Sequence, residues 1–73
     1  MNDRVVIDAQ ICHGKPVVRD TRTPITVVLS ALAGGDTFDQ IQEDYGITAE
    51  DIRACIAFAC EEVEHLTYRP LTV

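Results

Sequence analysis

The chain has 73 residues, enough for one domain with one core and too few for a second. Its composition, 47% hydrophobic and 25% charged, is ordinary for a globular protein, and no apolar run approaches the roughly 20 residues of a membrane span. The net charge of −6 argues against a protein that holds nucleic acid through its overall charge. The first four residues, MNDR, lack the basic and apolar regions of a signal peptide, so we expect a cytoplasmic protein.

Two short β-branched runs in the N-terminal arm, residues 1–23, predict a β-ribbon. The first run is residues 4–7 (RVVI) and the second is residues 15–19 (KPVVR), and turn-forming residues bound both runs. Pro16 restricts the second strand to a sheet edge or to its own first position, because proline has no backbone N–H. We expect a small ribbon that packs on the helices.

The next segment carries the signals of a helix. Thr23 is the expected N-cap, and Pro24 is the expected first helical residue. Apolar residues then recur at the i, i+3, i+4 and i+7 spacing of one helical face: Ile25, Val28, Leu29 and Leu32. The pair Gly34-Gly35 tolerates the left-handed backbone that ends a helix, so we predict a helix over residues 24–33.

Two further helices, separated by a tight turn, follow in the sequence. Thr37 and Gln40 have the spacing of a capping box, the turn contains Gly46, and Thr48 caps the longer helix. The predicted helices span residues 37–45 and 48–64. A helix, a short turn with glycine and a longer helix form a helix-turn-helix unit.

These elements predict a mainly α fold in a single domain. It consists of a three-helix helix-turn-helix unit over residues 24–64, homeodomain-like or winged-helix-like, with a short N-terminal β-ribbon. Residues 65–73 form a short extended tail, since Pro70 prevents a long helix there. The expected core lies between the helices and contains Ile25, Val28, Leu29, Leu32, Phe38, Ile41, Ile47, Ile52, Ile56 and Ala59.

The third predicted helix carries more apolar residues than one face can hold, because residues 54–60 are all apolar. With Ile52 facing the core, the 100° step per residue sends Ala54, Ala57 and Phe58 to the opposite side. A helix that is apolar on both sides is usually buried on both sides. We predict that these three residues form a partner interface, for instance in a homodimer. Coverage of Phe58 by the ribbon or tail of the same chain is an equally weighted alternative.

Charge is distributed unevenly along the chain. Residues 1–24 contain four cations and three acids, a net charge of +1, whereas residues 25–73 contain two cations and nine acids, a net charge of −7. Contacts to phosphate or to an acidic partner surface are therefore expected mainly from Lys15, Arg19 and Arg22. The alternative is that these cations only stabilise the fold or are solvated. We favour it for Arg22, whose side chain would pair with an acid such as Asp20, Glu43 or Asp44.

The start of the third helix is poorly suited to reading DNA bases. A recognition helix uses its N-terminal residues for that purpose. Here Glu50 and Asp51 would repel phosphate, which leaves Arg53 as the candidate for a base contact. Direct reading of the major groove is therefore less favoured than the helix-turn-helix outline suggests.

The cysteine and histidine residues do not have the spacing of a metal site. Cys55 and Cys60 are five residues apart and point about 140° from each other on a helix, so both are expected to be small core residues. A nucleophile at Cys12, beside His13, would lack an obvious substrate pocket. We expect no metal, no cofactor and no enzymatic activity.

Several motifs occur in a specific order and spacing between residues 7 and 63. They are GKPVV at 14–18, TRTPI at 21–25, LAGG at 32–35, Tyr45, and ITAEDIRA at 47–54, followed by AFA at 57–59. In these motifs the chain resembles the prokaryotic family named domain of unknown function 433. Asp20 and Gly46 depart from the family pattern, which favours glycine and proline at these positions, but both residues suit turns.

This resemblance implies a function as well as a helix-turn-helix fold. Many members of the family are similar to antitoxins encoded beside toxins with a PIN-like ribonuclease fold. The expected function is therefore an antitoxin-like protein that binds and neutralises a PIN-like ribonuclease and autoregulates its operon by binding operator DNA. A stand-alone DNA-binding transcriptional regulator is the alternative. In the antitoxin interpretation, Ala54, Ala57 and Phe58 contact either the toxin or a second copy of the chain.

Overall fold

The computed structural model describes residues 2–66 and confirms a mainly α fold with a short N-terminal ribbon. Strands β1 (Val5–Val6) and β2 (Val17–Val18) are antiparallel, with Val5 opposite Val18 and Val6 opposite Val17. The helices are α1 (Ile25–Ala33), α2 (Phe38–Tyr45) and α3 (Ala49–Glu64). The extended tail predicted after residue 66 lies outside the described residues.

The ribbon has shorter strands than the β-branched runs suggested. Soon after β1 the chain forms a turn, in which the Ile11 N–H donates to the Asp8 carbonyl at 2.9 Å. A 3₁₀ turn follows at Cys12–Gly14. Pro16 lies immediately before β2, in keeping with its restriction to a strand start. The ladder continues for one further bond, from the Arg19 N–H to the Arg4 carbonyl at 2.8 Å.

The predicted start of α1 is wrong by one residue. Pro24 is the N-cap, with an extended backbone (ψ 141°), and no side chain caps this helix. The reason is a strand-like contact: Pro24 forms a bridge with Val17, and the Val18 N–H donates to the Thr23 carbonyl at 2.9 Å. These bonds hold the Thr23-Pro24 segment extended against β2, so Thr23 does not reach the helix start.

The caps predicted for α2 and α3 are confirmed. In each helix the capping threonine accepts a hydrogen bond from the third residue, and the third side chain accepts one from the threonine N–H: Thr37 with Gln40, and Thr48 with Asp51. Gly46 ends α2 in the left-handed conformation (φ 66°), which glycine adopts without steric cost. Local sequence signals therefore determine both ends of the turn before α3.

The core lies where the ribbon and the three helices meet. Residues with at most 5% exposure are Val17, Val18, Ile25, Val28, Ile41, Ile47, Ile52 and Cys55. Leu29, Leu32 and Phe38 are partly buried against this cluster. Both β2 valines are thus core residues that the helix pattern did not include.

Part of the core prediction for α3 is wrong. Ile56 is 38% exposed and Cys60 is exposed, whereas Ala59 is only half-buried. The side of α3 that faces the core is centred near Cys55, so Phe58 packs against the core cluster in place of Ile56. Among the described residues, no helix has the length and apolar character needed to cross a membrane.

Candidate functional site: two surfaces of α3 and the arm beside it

Arg4 joins the N-terminal arm to the start of α3. Its guanidinium donates to Glu50 Oε2 at 2.8 Å and to Asp51 Oδ1 at 3.0 Å. Asp51 also accepts from the Thr48 backbone N–H at 3.0 Å. Burial alone would raise the pKa of Asp51, but the hydrogen bonds from Thr48 and Arg4 outweigh it and lower that pKa. The first turn of α3 is therefore an ion-paired, capped structure.

This arrangement was not anticipated from the sequence. Arg4 lies 46 and 47 residues before its two partners, so only the folded topology brings them together. The spacing of Thr48 and Asp51 predicts that Asp51 lies at the start of α3, but nothing in the sequence indicates that Arg4 is its partner. Arg4 neutralises part of the charge of Glu50 and Asp51, but one net negative charge remains at the start of α3. Arg53, the base-reading candidate, is exposed, and its guanidinium lies 5.8 Å from the centre of the Phe38 ring.

The arm also covers part of the interface predicted on α3. Asn2 donates from its side-chain amide to the Ala54 carbonyl at 2.6 Å. Phe58 is half-buried and packs against the core together with Val5 from the ribbon. Coverage of Phe58 by the ribbon is the alternative that the sequence left open. Of the three predicted interface residues, Ala57 is exposed, whereas Ala54 and Phe58 are half-buried. The three residues therefore do not form one continuous open surface.

A different apolar surface of α3 is exposed from the middle of the helix toward its C-terminal end. It consists of Ile56, Ala59, Cys60 and Val63, which together line one shallow depression with Glu64 at its margin. Ile56 is 38% and Val63 is 52% exposed. We call these four residues the α3 apolar face. The sequence pattern predicts Ile56, Ala59 and Cys60 to be core residues, and the exposure of this surface shows that prediction to be wrong for Ile56 and Cys60.

Most acids of the helical part are exposed and have no ion-pair partner. In residues 2–66 the salt bridges are those that Arg4 makes with Glu50 and Asp51. The other seven acids lie on the loop before α2, on α2 and on the C-terminal half of α3. We call them the helical acids: Asp36, Asp39, Glu43, Asp44, Glu61, Glu62 and Glu64. They give the helices a negative surface, and no described residue forms a salt bridge with any of them.

The predicted arm cations are exposed as well. Lys15, Arg19 and Arg22 form no salt bridge with any described residue, so Arg22 does not pair with the acids considered for it. Arg19 and Arg22 line an open cleft of about 800 Å³ beside the ribbon, whose margin also includes Asp8 and Asp20. The cleft brings two of the three arm cations together but mixes them with two acids.

The two departures from the family pattern lie at turn positions with left-handed backbone. Asp20 has φ 62°, and Gly46 has φ 66°. Left-handed backbone favours glycine and is tolerated by aspartate better than by most residues. The glycine that the family pattern favours at position 20 would therefore fit the same turn.

The cysteines differ strongly in their surroundings. Cys55 is fully buried, and burial raises the pKa of its thiol to about 11. Cys60 is exposed, and Cys12 is half-buried, with its thiol donating to the Arg22 carbonyl at 3.5 Å. Across residues 2–66, no group of three or more histidine, cysteine, aspartate or glutamate side chains is arranged to hold a metal ion.

Comparison with known proteins places this fold in a family. The family model described as protein of unknown function (DUF433) matches residues 5–59, from β1 to the middle of α3. The chain belongs to the DUF433 family. A search of curated proteins returned no match.

Two solved structures share the DUF433 fold of this chain. One is the crystal structure of a DUF433 member protein from Anabaena variabilis ATCC 29413, with 25% identity, a TM-score of 0.78 and a match over 85% of this chain and 62% of that one. The other is the crystal structure of Rv2018 from Mycobacterium tuberculosis, with 33% identity, a TM-score of 0.66 and a match over 71% of this chain and 24% of that one. This chain thus spans less than two thirds of the length of either protein.

Proposed function

We propose that this DUF433 protein is an antitoxin-like cytoplasmic protein that binds and neutralises a PIN-like ribonuclease. It acts by covering the basic surface with which such an enzyme holds RNA, and not by catalysis of its own. In the same proposal, the protein autoregulates its operon through operator DNA, which the arm cations contact.

The observation that carries the proposal is the set of helical acids. Seven exposed carboxylates, none with an ion-pair partner among residues 2–66, form a negative surface that is complementary to a cationic RNA-binding groove. Complementary charge speeds association and orients the two proteins. A solvated acidic face that only maintains solubility would have the same composition, so the experiment must measure a specific complex.

The start of α3 favours a protein partner over direct base reading. Glu50 and Asp51 lie in the first turn of α3, the part of a recognition helix that contacts DNA, and both form salt bridges with Arg4. Any phosphate contacts in autoregulation are therefore assigned to Lys15, Arg19 and Arg22.

These same exposed cations support the second candidate, a stand-alone DNA-binding regulator. None of the three forms a salt bridge with a described residue, so each is available to a phosphate. Affinity that depends on several phosphate contacts falls steeply as salt concentration rises. A regulator of this kind needs no ribonuclease partner.

The test uses the ribonuclease encoded beside this gene and measures cleavage of RNA with increasing amounts of the full chain. We expect inhibition by the wild type and weaker inhibition by the Glu61→Lys/Glu62→Lys variant, because charge reversal there repels a basic groove. The matched double variant Arg19→Ala/Arg22→Ala should inhibit as well as the wild type while it loses affinity for operator DNA.

The proposal is overturned if the neighbouring gene encodes no PIN-like protein and the isolated chain binds its own operator specifically. Equal inhibition by wild type and acid-reversed chain would also contradict the role given to the helical acids.

A further inference from the structure

The α3 apolar face has a spacing that is symmetric along the helix. Its residues run from a large side chain, Ile56, through two small ones, Ala59 and Cys60, to a second large one, Val63. At 100° per residue these four positions fall within an arc of about 100°. Read from either end of the helix, the order of sizes is the same, which is the property that a self-complementary contact requires.

The charges at one margin of this face follow the same symmetry. Arg53 and Glu64 are 11 residues apart, so their directions around the helix differ by only about 20°. Both are exposed, and neither forms a salt bridge with a described residue. One margin of the apolar face thus has a cation near its N-terminal end, over the Phe38 ring, and a carboxylate at its C-terminal end.

We propose that two copies of this chain associate through the α3 apolar face as an antiparallel, two-fold symmetric helix pair. A two-fold axis that passes between the two helices, midway between the levels of residues 59 and 60, brings Ile56 to the height of Val63 and Ala59 to the height of Cys60 of the other copy. The small residues lie at the crossing point, where the two backbones come closest, and the large residues pack at both ends.

Charge selects the antiparallel arrangement over the parallel one. About the same axis, Arg53 lies within about 3 Å along the helix of Glu64 from the other copy, on the same margin, so two equivalent ion pairs form. The two Glu64 residues are then about 13 Å apart along the axis. In a parallel pair, Arg53 of one copy and Glu64 of the other lie about 16.5 Å apart along the axis, so neither ion pair forms.

The contact is small, so the association is weak and depends on concentration. A stable protein interface usually buries about 1,600 Å², and a single pair of short helix faces buries much less. Sedimentation of the full chain should therefore show an average mass that rises from one chain toward two as concentration increases.

The decisive experiment is a charge swap followed by sedimentation. Arg53→Glu and Glu64→Arg should each weaken association a few-fold, because each places like charges together at both ends. The double variant Arg53→Glu/Glu64→Arg should restore it. Glu61→Arg, on the opposite side of α3, is the matched control and should leave association unchanged. Ile56→Glu should weaken association about tenfold, since it places a charge in the contact.

A thiol cross-link measures the register independently. In the proposed pair the two Cys60 residues are offset by only about 1.5 Å along the axis, within reach of a disulfide. Diamide, which accepts the two electrons and two protons released by the two thiols, should therefore produce a covalent dimer on a non-reducing gel. Cys60→Ser should abolish this product, and Cys12→Ser should retain it.

Circular dichroism of each variant verifies that the monomer is folded, which is expected because the altered side chains are exposed, apart from the half-buried Cys12. A wild-type chain that remains a monomer at high micromolar concentration overturns the proposal and leaves the face to the chain's own tail or to a different protein. A dimer that the charge swap does not restore, or that Cys60 does not cross-link, overturns the antiparallel register.

Discussion

The two halves of α3 differ in what covers them, although they are parts of one regular helix. In the N-terminal half, Ile52 and Cys55 have no exposure, and Arg4 and Thr48 hold the first turn. From Ile56, in the middle of the helix, toward the C-terminal end, residues of the α3 apolar face are open to solvent. The first half thus belongs to the monomer, and both proposals above assign the second half to partners.

The difference follows from the lengths of the helices. At 1.5 Å per residue, the 16 residues of α3 extend about 24 Å, whereas the eight residues of α2 extend about 12 Å. The helix is therefore longer than the element packed beside it. Helix α1 and strand β1 also contact α3, and Val5 of β1 packs against the core cluster as Phe58 does. The apolar residues of α3 consequently continue along the helix past the part that the core buries.

The largest expected effect comes from removing apolar volume in each half. Ile52→Ala should lower the free energy of unfolding by about 3 kcal/mol, because it leaves a cavity in a fully buried site. Ile56→Ala, the same substitution one turn later, should cost under about 1 kcal/mol, because the side chain is partly exposed. Urea unfolding of both variants measures the difference. Equal losses would mean that the C-terminal half is part of the monomer core.

The next effect concerns the cap at the start of the N-terminal half. Thr48→Ala should lower the free energy of unfolding by about 1 kcal/mol, because the Asp51 N–H loses the hydroxyl that accepts its hydrogen bond at 3.1 Å. Thr48→Ser, which keeps a hydroxyl, serves as the control and should be close to the wild type. If the two variants unfold at the same urea concentration, the cap contributes nothing to α3.

A smaller effect is expected from pH. The pKa of Asp51 is lowered in the folded state, so ionised Asp51 stabilises the protein above its ordinary pKa of 3.8, and this contribution is lost as the pH falls through the lowered value. Asp51→Asn lacks this carboxylate. The wild type should therefore be more stable than Asp51→Asn near neutral pH, and the gap should narrow in acid. Thermal unfolding at both pH values measures the gap, and a gap that widens in acid would contradict the assignment.

Local signals in the sequence predicted the boundaries of the helices well. The capping pairs at Thr37 and Thr48 and the turn at Gly46 depend on residues within four positions of one another, and the structure contains all three. At α1 the same kind of reasoning misplaced the cap. There Pro24 is held by β2, a contact between segments that local rules do not take into account.

Features that depend on contacts distant in sequence could not be predicted in this way. The apolar run in α3 is compatible with several core directions, and the choice between Ile56 and Phe58 depends on where the ribbon packs. The pairing of Arg4 with Glu50 and Asp51 likewise requires the arm to return to α3. The sequence therefore predicts only one of the two candidate surfaces. Its charge distribution indicates the acidic helices, but its apolar pattern does not show that the α3 apolar face is exposed.

The division of α3 into a covered side and the open α3 apolar face is tested most directly by its two cysteines. Cys55 and Cys60 are five residues apart on the same helix, yet one is buried and the other is exposed. The measurement is the rate of maleimide labelling at each thiol, in the native chain at a concentration low enough to keep it monomeric. We predict that Cys60 reacts promptly and that Cys55 reacts only after denaturant is added. Labelling of both thiols at similar rates in the native chain would contradict this division.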